Sequence, residues 1–159
     1  MASPLSVGDV IALSKLAIIL GRAFTKGRRS APEEFREVES QLYSLSAALD
    51  ALTSLIPKSA ADKDAEDSLS HAILSCRRTL THLETVVTKY GVLRNDGDGE
   101  PDGSRFRRWN TSLKAGWKSI LWTTEGGDLA VLRSNLTVHI NSLNLLLGVM
   151  VKCVESNLN

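Results

Sequence analysis

Hydrophobic residues recur every three or four positions along most of the chain, which is the spacing of one face of an α-helix. The pattern predicts four long helices and a shorter one, over residues 6–24, 32–56, 65–92, 128–154 and 106–121. No segment shows the alternation of apolar and polar residues that is typical of a half-buried strand. We therefore predict an all-α fold, an antiparallel four-helix-type bundle with an additional short helix.

Three of the long helices carry their hydrophobic residues in a narrow stripe, with spacings of three and four residues as in helical bundles. In the second helix the stripe consists of Phe35, Val38, Leu42, Leu45, Leu49, Leu52 and Ile56. In the third it consists of Leu69, Ile73, Cys76, Leu80, Leu83, Val87 and Tyr90. In the last it consists of Leu129, Leu132, Leu136, Ile140, Leu143, Leu147, Met150 and Val154. We expect these stripes to form the core.

The first predicted helix differs because apolar residues cover most of its circumference. Ser6 and Asp9 have the spacing of a capping box, which fixes where such a helix begins. An all-round apolar helix is most often buried at the centre of a fold, and otherwise it awaits an apolar partner. If this helix is releasable, its apolar residues enter or perturb a bilayer; they are Val10, Ile11, Leu13, Leu16, Ile18, Ile19 and Leu20.

Charged residues on and after the first helix bear on the same hypothesis. A carboxylate is costly to desolvate, so we expect Asp9 to modulate entry into a membrane. The basic residues Lys26, Arg28 and Arg29 follow the helix, and each would favour anionic lipid headgroups by about 1 kcal/mol.

Composition fits one soluble domain over residues 1–159, with 43% hydrophobic and 23% charged residues. Nineteen basic residues against 18 acidic ones give a net charge of +1, which argues against nucleic-acid binding. The start of the chain lacks the pattern of a secretory signal, and an uncharged spanning run is missing there. We therefore expect a cytoplasmic protein, recruited to the plasma membrane if the first helix acts on lipid.

Candidate chemistry gives no sign of an enzyme or a cofactor. The histidines and cysteines lack metal-ligand spacing; they are His71, Cys76, His82, His139 and Cys153. Phosphate-binding glycine motifs and an activated serine are also missing from the sequence. We interpret residues 94–104 as a flexible loop, because the calcium-loop pattern in its acidic part fails at the positions where glycine and glutamate are required.

The segment from Arg105 to Trp122 alternates basic and aromatic residues. Such a pattern suits a membrane interface or single-stranded nucleic acid, but it also arises in an amphipathic helix whose aromatic stripe faces a core. We favour the core-facing interpretation because such helices are the commoner source of this spacing.

Several stretches together resemble the HeLo-like, or fungal N-terminal, domains of fungal NLR-like (STAND) and ankyrin-repeat proteins. They follow in the family's order and are Ser6 to Leu13, Glu34 to Val38, Trp117 to Trp122, Leu132 to Leu136 and His139 to Leu147. The resemblance implies a helical bundle at the head of a longer receptor-like protein. Because P-loop and repeat motifs are missing, we expect the chain to be an excised domain or a short relative.

The resemblance further implies a non-enzymatic effector in regulated cell death. By that analogy the domain oligomerises with itself, releases its first helix and associates with an anionic membrane, under control of a regulatory receptor. The alternative is a protein-interaction module that recruits a partner helix while its first helix stays permanently buried. An enzyme is a third possibility, which the missing catalytic motifs disfavour.

Overall fold

The computed structural model describes residues 6–25, 33–56, 63–89, 129–156 and 158. Four helices occupy these ranges, namely α1 (Val7–Thr25), α2 (Glu33–Leu55), α3 (Lys63–Lys89) and α4 (Leu129–Ser156). Within these ranges the chain contains no strand, and the helices pack as a bundle, so the predicted fold class is confirmed. The predicted short helix over 106–121 and the predicted loop over 94–104 lie outside the described residues.

The helix bounds follow local signals in the sequence. Ser6 caps α1 as predicted: the Asp9 amide donates to Ser6 Oγ over 3.1 Å, and the Ser6 amide donates to the Asp9 carboxylate over 3.3 Å. Helix α3 begins at Lys63, two residues before the predicted start at Ala65. Its first turn contains Asp64 and Glu66, and acidic side chains there interact favourably with the positive end of the helix dipole.

Around the bundle the helices follow each other in the order α1, α2, α4, α3. Helix α1 packs most extensively on α2 and less on α3, whereas α4 packs on α2 and α3. Among the described helices α1 therefore occupies a corner, with α2 and α3 as its neighbours. Its apolar circumference exceeds what two neighbours can cover, so Ile11 and Ile19 remain 38% and 45% exposed.

Contacts between side chains give the directions of two helix pairs. Ser14 lies opposite Ser46, and Phe24 lies against Phe35 with ring centroids 6.0 Å apart, so α1 and α2 are antiparallel. Helices α2 and α4 run in the same direction, since Glu37 pairs with Arg133 and Gln41 with Thr137.

The predicted stripes form the core. Buried stripe residues of α2 are Phe35, Val38, Leu42, Leu45, Leu49 and Leu52, and those of α3 are Leu69, Ile73, Cys76, Leu80 and Leu83. In α4, Leu132, Leu136, Leu143 and Met150 are buried, and Ile140 and Leu147 are partly buried. Each large side chain buried in this way stabilises the fold by roughly 1.5–3 kcal/mol. The side chains of Val87, Tyr90 and Leu129 lie outside the described set.

Candidate functional site

The candidate site is α1 together with the surface of α2 and α3 on which it lies. The structure divides the predicted membrane-inserting residues among three environments. Three of them face the core, namely Val10, Leu13 and Leu20. Two are half-buried, namely Leu16 and Ile18, and two are exposed, namely Ile11 and Ile19. In this arrangement the apolar surface of α1 is partly covered and partly presented to solvent.

A polar cluster links α1 to α2 in the middle of their contact. Ser14 is only 2% exposed, and its Oγ lies 2.5 Å from Asp50 Oδ1 and 2.8 Å from Ser46 Oγ. Since a hydroxyl has one proton, the short distance to the carboxylate indicates that Ser14 donates to Asp50 and accepts from Ser46. Asp50 itself is exposed. The cluster extends from the exposed Asp50 to the buried Ser14, and it fixes the register of α1 on α2.

Gly21 of α1 lies against the ring of Tyr43 on α2. A Cβ atom at this position would lie 2.7 Å from Cε1 of Tyr43, closer than real carbon contacts. Tyr43 is held over the glycine because its hydroxyl donates to Glu39 Oε1 over 2.9 Å. The pKa of Tyr43 is raised by burial and by this bond to the carboxylate. A larger residue at position 21 would therefore have to displace the tyrosine ring.

Asp9 attaches the beginning of α1 to α3. Its carboxylate lies 3.4 Å from the Arg77 guanidinium, and its Oδ2 accepts a 2.8 Å bond from the Ser6 hydroxyl. The hydrogen bonds from the Ser6 side chain and the Ser6 backbone hold the pKa of Asp9 below its usual value; desolvation opposes them, and the nearby Arg77 charge contributes the smallest lowering effect. The carboxylate predicted to modulate membrane entry thus serves in the closed bundle as a cap and as a partner of Arg77.

The predicted headgroup-binding residues Lys26, Arg28 and Arg29 lie outside the described residues. No group of three or more His, Cys, Asp or Glu side chains that could hold a metal ion occurs in the described ranges. His139 is buried, and its Nε2 lies 2.8 Å from Thr79 Oγ1, joining α4 to α3. Cys76 is fully buried, and this burial raises the pKa of its thiol to about 12.

A second polar link joins α2 to α4. The Arg133 guanidinium pairs with the Glu37 carboxylate, and Gln41 Nε2 donates over 2.8 Å to Thr137 Oγ1 and over 3.2 Å to the Arg133 carbonyl. Together with the contact between Thr79 and His139, these bonds tie α2, α3 and α4 to one another without using α1.

Among the described helices, α4 alone is long and apolar enough to cross a membrane by length and composition. The segment is Ala130–Ser156. An 18-residue window within it has a mean hydropathy of 1.4, and 17% of that window is buried. Core helices of soluble bundles also meet this criterion. Helix α1 carries three charged residues within its 19 positions, Asp9, Lys15 and Arg22.

Comparison with protein-family models identifies the family of this chain. The family model SesA, described as an N-terminal domain on NACHT NTPase and P-loop NTPases, matches residues 9–143. The chain belongs to the SesA family. The match begins at Asp9, in the first turn of α1, and ends at Leu143, so it covers nearly all of α1, the whole of α2 and α3 and the first half of α4. Comparisons with curated proteins and with solved structures give no match.

The SesA family agrees with the expected resemblance at the level of an N-terminal domain on NTPases. It supports a domain of the NLR-like type, and it names SesA rather than a HeLo-like domain.

The sequence pattern missed most of the polar residues that hold the α1 helix of this SesA domain. Hydrophobic spacing along the chain assigns no role to Ser14, Ser46, Asp50 or Arg77. A usable signal existed in α2, where Ser46 lies within the apolar stripe and Asp50 follows it by four residues, on the same face. Gly21 offered a second signal, because glycine inside an otherwise helical pattern often has a packing reason.

Proposed function

We propose that this SesA domain is a non-enzymatic effector and signalling module of an NLR-like protein. It acts in regulated cell death by oligomerisation and by membrane association or permeabilisation through α1, in the manner of HeLo-like domains. One observation carries the proposal: α1 is the most apolar of the four described helices, yet it lies at a corner with two exposed isoleucines. The domain is cytoplasmic at rest and moves to the plasma membrane when a receptor activates it.

The arrangement of contacts permits α1 to leave while the other helices stay together. Helix α4 packs on both α2 and α3, and the polar links described above join these three helices. Departure of α1 uncovers Val10, Leu13 and Leu20, each at a cost of roughly 1.5–3 kcal/mol in water. Insertion into hydrocarbon offsets that cost, because the same side chains are then again removed from water.

Polar groups on α1 set the balance between the closed and inserted states. The bonds of Ser14 to α2 and of Asp9 to Arg77 favour the closed bundle. Lys15 and Arg22 oppose deep insertion, unless they extend their charges to the interface or face like helices in an oligomer. Lys26, Arg28 and Arg29 follow α1 in the sequence, and they favour an anionic surface.

A matched pair of variants tests the role of α1 in the full chain. Ile19 in α1 and Leu74 in α3 are each 45% exposed, so aspartate at either position should leave the bundle folded. An aspartate at the centre of a spanning helix costs about 2.5–3.5 kcal/mol. We expect Ile19→Asp to slow dye leakage from anionic vesicles at least tenfold, and Leu74→Asp to leave it unchanged. Wild-type leakage that both variants retain in full contradicts the proposal.

A reversible lock tests whether α1 must leave its seat. The Oγ atoms of Ser14 and Ser46 are 2.8 Å apart, so cysteines at both positions are close enough to form a disulfide. In a Cys153→Ser background, the oxidised Ser14→Cys/Ser46→Cys protein should not release dye, and dithiothreitol should restore release. The single variant Ser14→Cys is the control. Equal leakage from the oxidised and reduced forms contradicts a mechanism that needs α1 to move.

The second candidate function is a protein-interaction module whose α1 never leaves. The observation that favours it is the buried Ser14 cluster, which gives α1 a specific register rather than a simple apolar contact. This function predicts a folded domain that does not leak anionic vesicles and binds a partner helix equally well in the locked and unlocked forms.

A further inference from the structure

The contacts between neighbouring helices, which we call seams, are held by different bonds. At the seam of α1 with α2, Ser14 and Ser46 are 2% and 3% exposed and bond to each other in the interior. At the seam of α3 with α4, the bonded His139 is 8% exposed. At the seam of α1 with α3, the bond in the described ranges is the ion pair of Asp9 with Arg77, and both side chains are 45% exposed. The polar attachment of α1 to α3 therefore lies at the surface.

The seam of α2 with α4 also has a partly exposed ion pair, but there it is reinforced. Beside the pair of Glu37 with Arg133, Gln41 donates to Thr137 Oγ1 and to the Arg133 carbonyl. Packing is least extensive between α1 and α3. An exposed ion pair contributes little to stability because water and salt screen it. Among the described helices, the seam of α1 with α3 is therefore the weakest of the four.

The side of α3 that carries Arg77 is polar along its length. Ser70 and Glu84 lie seven residues before and after Arg77, so all three are on the same side of the helix. Ser70 and Glu84 are only half-buried. Polar side chains gain little by contact with an apolar helix, because burying a polar group without a bond is unfavourable. This side of α3 is thus a poor match for α1.

Helix α1 is covered unequally on its two sides. Ser14 and Gly21, seven residues apart, mark the side that lies on α2, and both are buried. Leu16 lies seven residues after Asp9 and therefore on the side that faces α3, yet this apolar side chain is only half-buried. The exposure of α1 therefore agrees with the bonds: α1 is fixed to α2 more firmly than to α3.

We infer that the bundle opens first along the seam of α1 with α3, with Arg77 as the latch, while α1 stays attached to α2. The inference rests on the function proposed above and names the first step by which α1 becomes available. This step breaks one exposed ion pair and an apolar contact, and it keeps the buried Ser14 cluster and the ring contact of Phe24 with Phe35. It turns the side of α1 that carries Leu16 towards solvent or a membrane.

Two matched alanines report which seam opens. Ala23, on the Asp9 side of α1, is 5% exposed, and Ala48, seven residues after Gln41 on the α4 side of α2, is 6% exposed. In the full chain with Cys153→Ser and without lipid, we expect Ellman's reagent to label Ala23→Cys at least tenfold faster than Ala48→Cys. Equal labelling rates at the two positions overturn the inference.

A third position tests whether α1 stays on α2. Ser46 is 3% exposed and lies against Ser14 of α1. We expect Ser46→Cys to be labelled about as slowly as Ala48→Cys, because the first opening leaves this seam closed. If Ser46→Cys is labelled as fast as Ala23→Cys, α1 leaves both neighbours together and the inference is wrong.

Replacing the latch should loosen one seam alone. Arg77→Glu removes the ion pair and repels Asp9, so labelling of Ala23→Cys should rise roughly fivefold, which is the most that an exposed ion pair usually contributes. The control Arg78→Glu changes the same charge on the exposed side of α3 and should leave the rate unchanged. Because Ala23 lies about 21 Å along α1 from Asp9, a response there indicates opening of the seam rather than fraying of a helix end. An absent response, or an equal rise in Ala48→Cys, overturns the inference.

Salt separates a latch from an arginine with a merely structural role. The Debye length falls from about 10 Å at 0.1 M salt to about 3 Å at 1 M. Sodium chloride should therefore speed the labelling of Ala23→Cys when Arg77 is present but not in Arg77→Glu. If the seam opens as expected while Ile19→Asp leaks vesicles like wild type, the proposed function fails and this inference stands. A salt response that persists in Arg77→Glu overturns the role of Arg77.

Discussion

Helices α1 and α4 are the two most apolar described helices of the domain, and they differ in how their apolar and charged residues are distributed. Helix α1 has apolar residues all round, and its charged residues are spread along its length. Helix α4 buries one stripe against the core, and no Asp, Glu, Lys or Arg interrupts residues 134–151. The comparison teaches that apolar content does not decide where a helix lies; the spacing of its apolar and charged residues does.

The largest expected effects separate the covered from the uncovered sides of these two helices. Leu20→Ala in α1 and Leu143→Ala in α4 remove fully buried side chains, so each should lower the free energy of unfolding by about 2–5 kcal/mol. Ile19→Ala and Leu145→Ala, at exposed neighbouring positions, should change it by less than about 0.5 kcal/mol. Urea denaturation measures all four. Similar losses at Leu145 and Leu143 would mean that Leu145 is also covered within one chain.

A smaller effect concerns the polar attachment of α1 to α2. Ser14→Ala removes the donor to Asp50 and leaves the buried hydroxyl of Ser46 without that acceptor, so unfolding should become easier by about 1–3 kcal/mol. Ser44→Ala on the exposed side of α2 is the matched control and should cost less than about 0.5 kcal/mol. Hydrogen exchange should rise in α1 of the Ser14 variant. Equal stability of the two variants would show that apolar contact alone holds α1.

Mild acid should affect α4 but leave the attachments of α1 intact. Burial lowers the pKa of His139 below its usual 6.5, so the unfolded chain binds this proton more readily than the folded one. Stability should therefore fall as the pH decreases below about 6.5, until the lowered pKa is passed. Asp9 has a lowered pKa and stays ionised in this range. His139→Gln should flatten the dependence of the urea midpoint on pH between 7.5 and 5, whereas His71→Gln, on the exposed side of α3, should retain it.

The smallest effect on stability is expected at the cysteines, which report on the two sides of the bundle without perturbing it. Cys76 is fully buried with a pKa of about 12, so its thiolate is rare and inaccessible in the folded state. Cys153 on α4 is half-exposed. Ellman's reagent should therefore label Cys153 rapidly and Cys76 only as fast as the domain unfolds. Fast labelling of both thiols in native protein would indicate that α3 opens independently.

Local features were predictable from the sequence, and relations between helices were not. The stripes and the capping box of Ser6 and Asp9 depend on residues three or four positions apart, so spacing alone reveals them. The pairing of Ser14 with Asp50 depends on the rotation of two helices about their axes, which spacing within each helix leaves undetermined. The position of α1 among the described helices was not predictable for a related reason, because an all-round apolar helix does not indicate which sides its neighbours cover.

The antiparallel pairing of α1 with α2 also bears on how the chain is made. Helix α2 ends at Leu55, 30 residues after α1 ends at Thr25, and α2 provides most of the surface on which α1 lies. At a synthesis rate of 5–20 residues per second, that cover follows α1 out of the ribosome within roughly 2–6 s. Helix α4 follows much later. The most apolar helix of the domain is thus exposed to the crowded cell only briefly, because its principal partner is the next helix to be translated.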